Sequence, residues 1–288
     1  MKLKGIEKLR EKLPGYPGRR IGILPLSAAF VSLWGYLFLI FLDLLPRFFS
    51  GIAFLITVEP FLPLLGSLLI MILAFALIGQ LWSARERMKV EYGELAYQKM
   101  LPRGVAGVAL MPTLLFHQVT SIRSLPPSPP LNDLTIQWSQ SLLPMLGIPT
   151  EFDVWIRVIV SGVFLVLGML TMRSAILTFG VDYMAVVYLY FPEESEIQDH
   201  EIYSVMRHPT YFAGALLGIA ALIIRFSVYS ILTFFVVFAL FWLQAQREER
   251  ELIDRFGESY KEYMRKVPRL RVRFKDLRLY FRFLKKAI

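Results

Sequence analysis

The chain has 288 residues, of which 56% are hydrophobic, with a mean hydropathy of +0.52 and a formal net charge of +9. Soluble domains are usually ~45–50% apolar; here the excess falls in long runs, which excludes an ordinary soluble core and points to a polytopic, all-α membrane protein. Cysteine is absent, which excludes disulfides, thiol catalysis and cysteine-held metals, and His117, His200 and His208 show no metal-ligand spacing, so no metal site is expected.

The first twenty residues are basic and polar. The apolar run that follows, Ile21 to Leu45, exceeds the ~7–15 residues of a signal-peptide core and reads as a retained first span. A bilayer needs about 20 apolar helical residues per crossing. By that measure a second span covers about 52–82, kinked near its start by Pro60 and Pro63 or beginning after them. A third covers about 104–122 and contains Pro112 and His117, the latter read as a hydrogen-bonded interior histidine. The stretch 123–150 holds Pro126, Pro127, Pro129, Pro130, Pro144 and Pro149 and cannot be one helix. It is expected to be a linker or an interfacial lid. Spans four to six follow at about 154–178, 210–225 and 228–245.

Basic residues set the orientation. They concentrate in the N-terminal tail, between Arg85 and Arg103, and in the C-terminal tail. The alternate connections hold only Arg47, Arg123, Arg157 and Arg225. Six spans put all the basic segments on one side, the cytoplasm, with both termini and the acidic loop 192–208. On a membrane protein the basic tail is expected to meet anionic lipid rather than nucleic acid.

Two blocks carry candidate chemistry. In Arg207-His208-Pro209, proline sits where a helix begins. The amides of Thr210, Tyr211 and Phe212 would lack intrahelical partners there and could bind an anion, with Arg207 and His208 adding donors. Gly214 and Gly218 share a helical face and would admit a neighbouring helix or a flat ligand. The second block begins at Glu248-Glu249. Leu252, Phe256, Tyr260, Tyr263 and Val267 recur at helical spacing, giving an amphipathic helix ended by Pro268. The Glu248 and Glu249 carboxylates fall near the membrane surface, where one could stabilise a sulfonium or orient a nucleophile; the alternative is an exposed charged face with Glu248 or Glu251 paired with nearby arginines.

Together, Arg-His-Pro-x-Tyr-x-x-Gly, a membrane hairpin, then Glu-Glu-x-x-Leu-x-x-x-Phe-Gly-x-x-Tyr-x-x-Tyr-x-x-x-Val-Pro-Arg resembles the isoprenylcysteine carboxyl methyltransferase and phospholipid methyltransferase superfamily over roughly 200–270. The resemblance implies methyl transfer from S-adenosylmethionine to the polar head of a lipidic substrate. It implies that Tyr203, Arg207, His208, Pro209, Tyr211 and Gly214 surround the cofactor and that Val267, Pro268 and Arg269 help close its pocket. Glu248 would lie near the reacting centre. Family members often carry an arginine one turn before the first Glu, where it can hold a substrate carboxylate. Gln244 stands at that position; Arg247, close in sequence but on a different helical face, is the candidate replacement. The expected organisation is an accessory membrane module over 1–150 and a catalytic core with a basic tail over 151–288. Two alternatives share the pattern: a membrane reductase using a nicotinamide cofactor, and a non-catalytic lipid-binding protein.

Overall fold

The structure is a computed structural model that describes residues 4–120 and 131–288. Pro126, Pro127, Pro129, Pro130 and Arg123 of the proline-rich stretch, and Lys2, lie outside the described residues. Every regular element among the described residues is helical.

The principal helices in chain order are α1 (Ile23–Phe48), α2 (Leu62–Ser83), α3 (Ala96–Val119), α4 (Asp133–Ser139), α5 (Thr150–Phe179), α6 (Pro209–Arg225), α7 (Val228–Phe256), α8 (Glu258–Lys266) and α9 (Leu277–Lys286). Four segments are long and apolar enough to cross a bilayer: Gly18–Phe48, Ala53–Ser83, Thr150–Phe179 and Val228–Phe256. The chain is thus an integral membrane protein. The other two expected spans differ from these. α6 is apolar but has only 17 residues. α3 is long enough but carries Lys99, Arg103, Gln98 and two internal prolines, Pro102 and Pro112, and falls short in apolarity. Both are wedged among other helices, so neither needs a fully apolar surface.

The long helices turn their largest side chains outward. Phe30, Leu33, Leu37 and Phe41 on α1, and Trp155, Ile159, Val163 and Val166 on α5, are all exposed, as side chains facing lipid tails should be. Inward faces carry smaller residues and close contacts. A Cβ at Gly107 would lie 2.8 Å from the Ala74 carbonyl oxygen, so only glycine lets α3 approach α2 so closely. Leu39, Ile70, Met71, Leu110 and Leu114 from α1–α3 share one core with Val237 and Phe241 of α7.

The proline expectation in the second span is met by a break. Ala53–Val58 is followed by a 3-10 turn at Glu59–Phe61, and α2 begins at Leu62 with Pro63 in its first turn, where a missing amide costs nothing. His117 bonds Asp43 across 2.9 Å with both side chains buried, the interior histidine expected. The described part of the proline-rich stretch packs against the start of the second span. Asn132 caps α4, and the amides of Leu131 and Asn132 donate to the buried Glu59 carboxylate at 2.9 and 2.7 Å.

The connections sort to opposite ends of the bundle. At one end Leu13, Ala84, Met88, Tyr97 and Tyr188 form a common cluster, Lys12 bonds Glu194 at 2.7 Å, and Arg85 reaches Glu251. Lys12 holds the Glu194 carboxyl below its usual range, with Lys8 adding to the effect. At the other end Leu142 pairs with Phe226, Arg225 with Val119, and Tyr229 with Pro60. The basic segments identified in the sequence gather at the first end.

One expectation is corrected. α7 does not end near 245; it continues without interruption to Phe256. Gly257, at φ 58°, then breaks the expected amphipathic helix before α8 begins. The left-handed conformation needed there is open to glycine at little cost.

Candidate functional site

The two sequence blocks meet at the basic end of the bundle. α6 and α7 form a hairpin, closed by a capping box at Ser227 and Ser230. The start of α6 is thereby brought beside the C-terminal half of α7. A two-rung backbone ladder then joins the first block to the end of the second: the Arg207 amide donates to the Pro268 carbonyl at 2.9 Å, and the His208 amide to the Arg269 carbonyl at 3.2 Å.

Glu249 is the hub. Its side chain is 2% exposed and accepts from Arg207 Nε at 2.8 Å, from His208 Nε2 at 3.1 Å and from Arg269. Arg207 also donates to the carbonyls of Met264 and Val267, closing the end of α8. Arg269 lies over the Trp242 ring at 4.8 Å. A buried carboxylate is tolerated only with such partners. Glu249 does not face solvent: the loop 267–269 folds back over that side of α7 and covers it.

Glu248, one residue earlier, is turned about 100° away on the same helix. Its carboxylate accepts from the Tyr211 hydroxyl and from Gln244 Nε2 at 3.3 Å, and lies 3.7 Å from His208 Nδ1. His208 thus stands between the two glutamates. Glu248 also lines a cavity of about 110 Å³ shared with Phe179, Tyr183, Gln198, Tyr203, Arg207, His208, Thr210, Leu252, Arg255, Tyr260 and Tyr263. Burial pushes the Tyr203, Tyr260 and Tyr263 phenols above their ordinary range, so they remain neutral donors. Tyr263 spends its proton on the Tyr203 carbonyl at 2.6 Å. The Tyr203 ring stacks on Phe179 at 4.7 Å, forming an aromatic wall.

Several sequence-stated residues are placed differently from expectation. Of the three free amides foreseen after Pro209, that of Phe212 is taken by the His208 carbonyl at 3.0 Å. Thr210 borders the cavity. Pro209 itself is buried. Gly214 lies away from the cavity, where a Cβ would meet the Phe241 ring at 2.9 Å, so it serves helix packing. Arg247 also points elsewhere, across α2. Its guanidinium lies over Phe75 at 4.7 Å and its Nη1 is buried without a hydrogen-bond partner. Val267, Pro268 and Arg269 do close over the first block, through the ladder and Arg207.

Sequence reasoning missed Phe179, Tyr183, Gln198 and Arg255. The first two sit at and just beyond the end of α5, and Gln198 comes from the acidic loop. Nothing in their spacing announces them; only the fold brings that loop onto α7. A clue existed in the loop's Ile197-Gln198, which interrupts a run of charge.

Residues 156–259 match the family model for phospholipid methyltransferase. The likeness to phospholipid and isoprenylcysteine methyltransferases is thus carried by this segment. The chain is 25% identical over 129 residues to a probable protein-S-isoprenylcysteine O-methyltransferase of Oryza sativa subsp. indica, covering 44% of this chain and 68% of that protein. It is 28% identical over 109 residues to the protein-S-isoprenylcysteine O-methyltransferase of Dictyostelium discoideum, covering 38% and 46%. It is 27% identical over 105 residues to protein-S-isoprenylcysteine O-methyltransferase B of Arabidopsis thaliana, covering 36% and 53%. No solved structure matches the chain. The matched family segment starts on α5 and ends on α8, so it contains both glutamates, His208 and most of the cavity wall.

Proposed function

We propose that this membrane enzyme transfers a methyl group from S-adenosylmethionine to the polar head of a lipidic substrate, and that the chemistry resides in 151–288 with 1–150 as an accessory module. The observation that carries the reading is the His208–Glu248–Glu249 arrangement at the rim of an aromatic cavity, inside the segment that matches the methyltransferase family.

The residues present fit the donor. Gln198 Oε1 lines the cavity, is buried and has no hydrogen-bond partner, so it is an acceptor waiting for an N–H such as that of an adenine or amino group. The Phe179–Tyr203 wall suits a flat base. Thr210 at the start of α6 offers its amide at the positive end of a helix for a carboxylate. When bound, S-adenosylmethionine supplies an electrophilic methyl group on a sulfonium. The chain supplies the rest. Glu249 holds His208 and the 267–269 loop in place, and this loop excludes water. Glu248 either orients the acceptor or offsets positive charge. Positioning of this kind can supply several kcal/mol without a covalent intermediate.

The test is direct binding of S-adenosylmethionine to the purified protein, with NADPH as the competing candidate. His208→Ala should lower donor affinity about tenfold, because the imidazole spans both glutamates, while the protein remains folded through Arg207 and Arg269. Binding of NADPH instead, or unchanged donor affinity in His208→Ala, would remove the assignment.

The same reading places the basic end, and both termini, in the cytoplasm. The chain has no native cysteine, so single cysteines can be introduced and labelled from either side. A cysteine at the exposed Gln137 should react with an impermeant reagent from outside intact cells and one at the exposed Ser259 should not. The reverse pattern would overturn the orientation.

A further inference from the structure

The C-terminal helix α9 has two apolar faces where one would suffice to dock it. Tyr280, Phe283, Leu284 and Ala287 are buried against α5 and the 201–206 segment, and Tyr280 bonds Thr171 across 2.6 Å. A second stripe faces outward. Phe274 in the turn before α9, Phe281 on it and Ile288 just past its end are 94%, 51% and 79% exposed, and their spacing by seven residues would place them on one side of a continuing helix. Arg278, Arg282 and Lys285 flank the stripe and are also exposed. A surface helix with an outward apolar stripe bordered by cations is the pattern of a helix lying in a bilayer interface. α9 is fixed to α5, itself a membrane-crossing helix, so a bilayer surface is the adjacent phase.

Beside α9 lies a cavity of about 370 Å³, separate from the Glu248 cavity and on the other side of the 201–204 turn. Lys4, Lys286, His200, Ser174 and Thr178 bring polar groups to it, and Leu177 and Phe283 give it apolar walls. Lys286 is neutralised by Glu201, at 3.0 Å. Lys4 is not: its ammonium meets the Thr178 carbonyl, and it forms no ion pair among the described residues. The cavity therefore carries surplus positive charge beside the end of α5, a helix long and apolar enough to cross a bilayer.

We propose that this cavity binds the phosphate of an anionic phospholipid, held by Lys4, Lys286 and His200, while the Phe274–Phe281–Ile288 stripe inserts among the neighbouring acyl chains. The site reaches the catalytic end through the chain itself, because the extended segment leading into α9 begins at the Pro268–Arg269 ladder. A lipid that fixes α9 to the membrane also holds that closing segment. The inference rests on the membrane reading and not on methyl transfer.

The experiment uses the full chain in nanodiscs of phosphatidylcholine mixed with phosphatidate, followed by release into detergent and native mass spectrometry. The wild-type protein should retain phosphatidate in preference to phosphatidylcholine. Lys4→Gln combined with Lys286→Gln should lower that retention about 10- to 30-fold, the effect of two charges at an anionic surface. Phe274→Ser, at a fully accessible position that cannot disturb the core, should lower it as well. Inorganic phosphate in excess should fail to displace the lipid; displacement would mean a free-phosphate site and overturn the lipid assignment. Equal retention of phosphatidate by the double variant and the wild type would overturn the site. Neither readout depends on S-adenosylmethionine, so a failed methyltransferase assay leaves this result interpretable.

Discussion

Replacing Glu248 with Gln should leave a folded protein that binds S-adenosylmethionine nearly as well as the wild type and turns over about 100-fold more slowly or worse. The amide oxygen of Gln can still accept from the Tyr211 hydroxyl, which now bonds the carboxylate, so the α6–α7 contact survives. What is lost is the negative charge at the cavity rim, along with any proton-accepting capacity, and positioned acid–base groups contribute about 10²–10⁴-fold. A fall in turnover with little change in binding marks an interaction made mainly in the transition state. Parallel binding and single-turnover methylation with a competent lipid acceptor provide the measurement. Full turnover in Glu248→Gln would reduce this residue to a packing role.

The neighbouring substitution should behave in the opposite manner. Glu249→Gln removes the carboxylate that Arg207, His208 and Arg269 share. Two guanidinium groups would then remain in a largely buried site without their counter-charge. Breaking one side of such a buried network costs about 3–5 kcal/mol, so the variant should melt well below the wild type in detergent. Donor affinity should fall with it, because the same contacts hold the 267–269 loop against the His208 segment. A Glu249→Gln protein with wild-type melting behaviour would show that the hub is dispensable. The pair of variants separates a group that holds the site together from one that works in it, although the two are adjacent in sequence and of the same residue type.

Much of this was legible in the residues themselves. Long apolar runs determined a helical membrane protein, because a bilayer admits only backbone that satisfies its own hydrogen bonds. The distribution of lysine and arginine determined which connections share an end, and the structure gathers those segments together. The two motifs, Arg207-His208-Pro209 and Glu248-Glu249, were visible as blocks because each is short and local. The sequence could not rank the two glutamates, since helical spacing says only that they diverge by about 100°. Which one is buried depends on a loop twenty residues further on, and that loop is placed by the backbone ladder from Arg207 and His208 to Pro268 and Arg269. The same holds for Gln198 and Phe179, remote in sequence from Glu248 but sharing its cavity, and for Arg247, which packs over Phe75 instead of facing the site. Gly214 and Gly257 show the remaining limit: glycine is needed at both, but only the packed structure shows that one admits the Phe241 ring and the other turns the chain. Local chemistry and hydropathy were therefore set by sequence alone, while burial, pairing and the division of labour between Glu248 and Glu249 were decided by tertiary contacts, because desolvation and charge pairing depend on groups far apart along the chain.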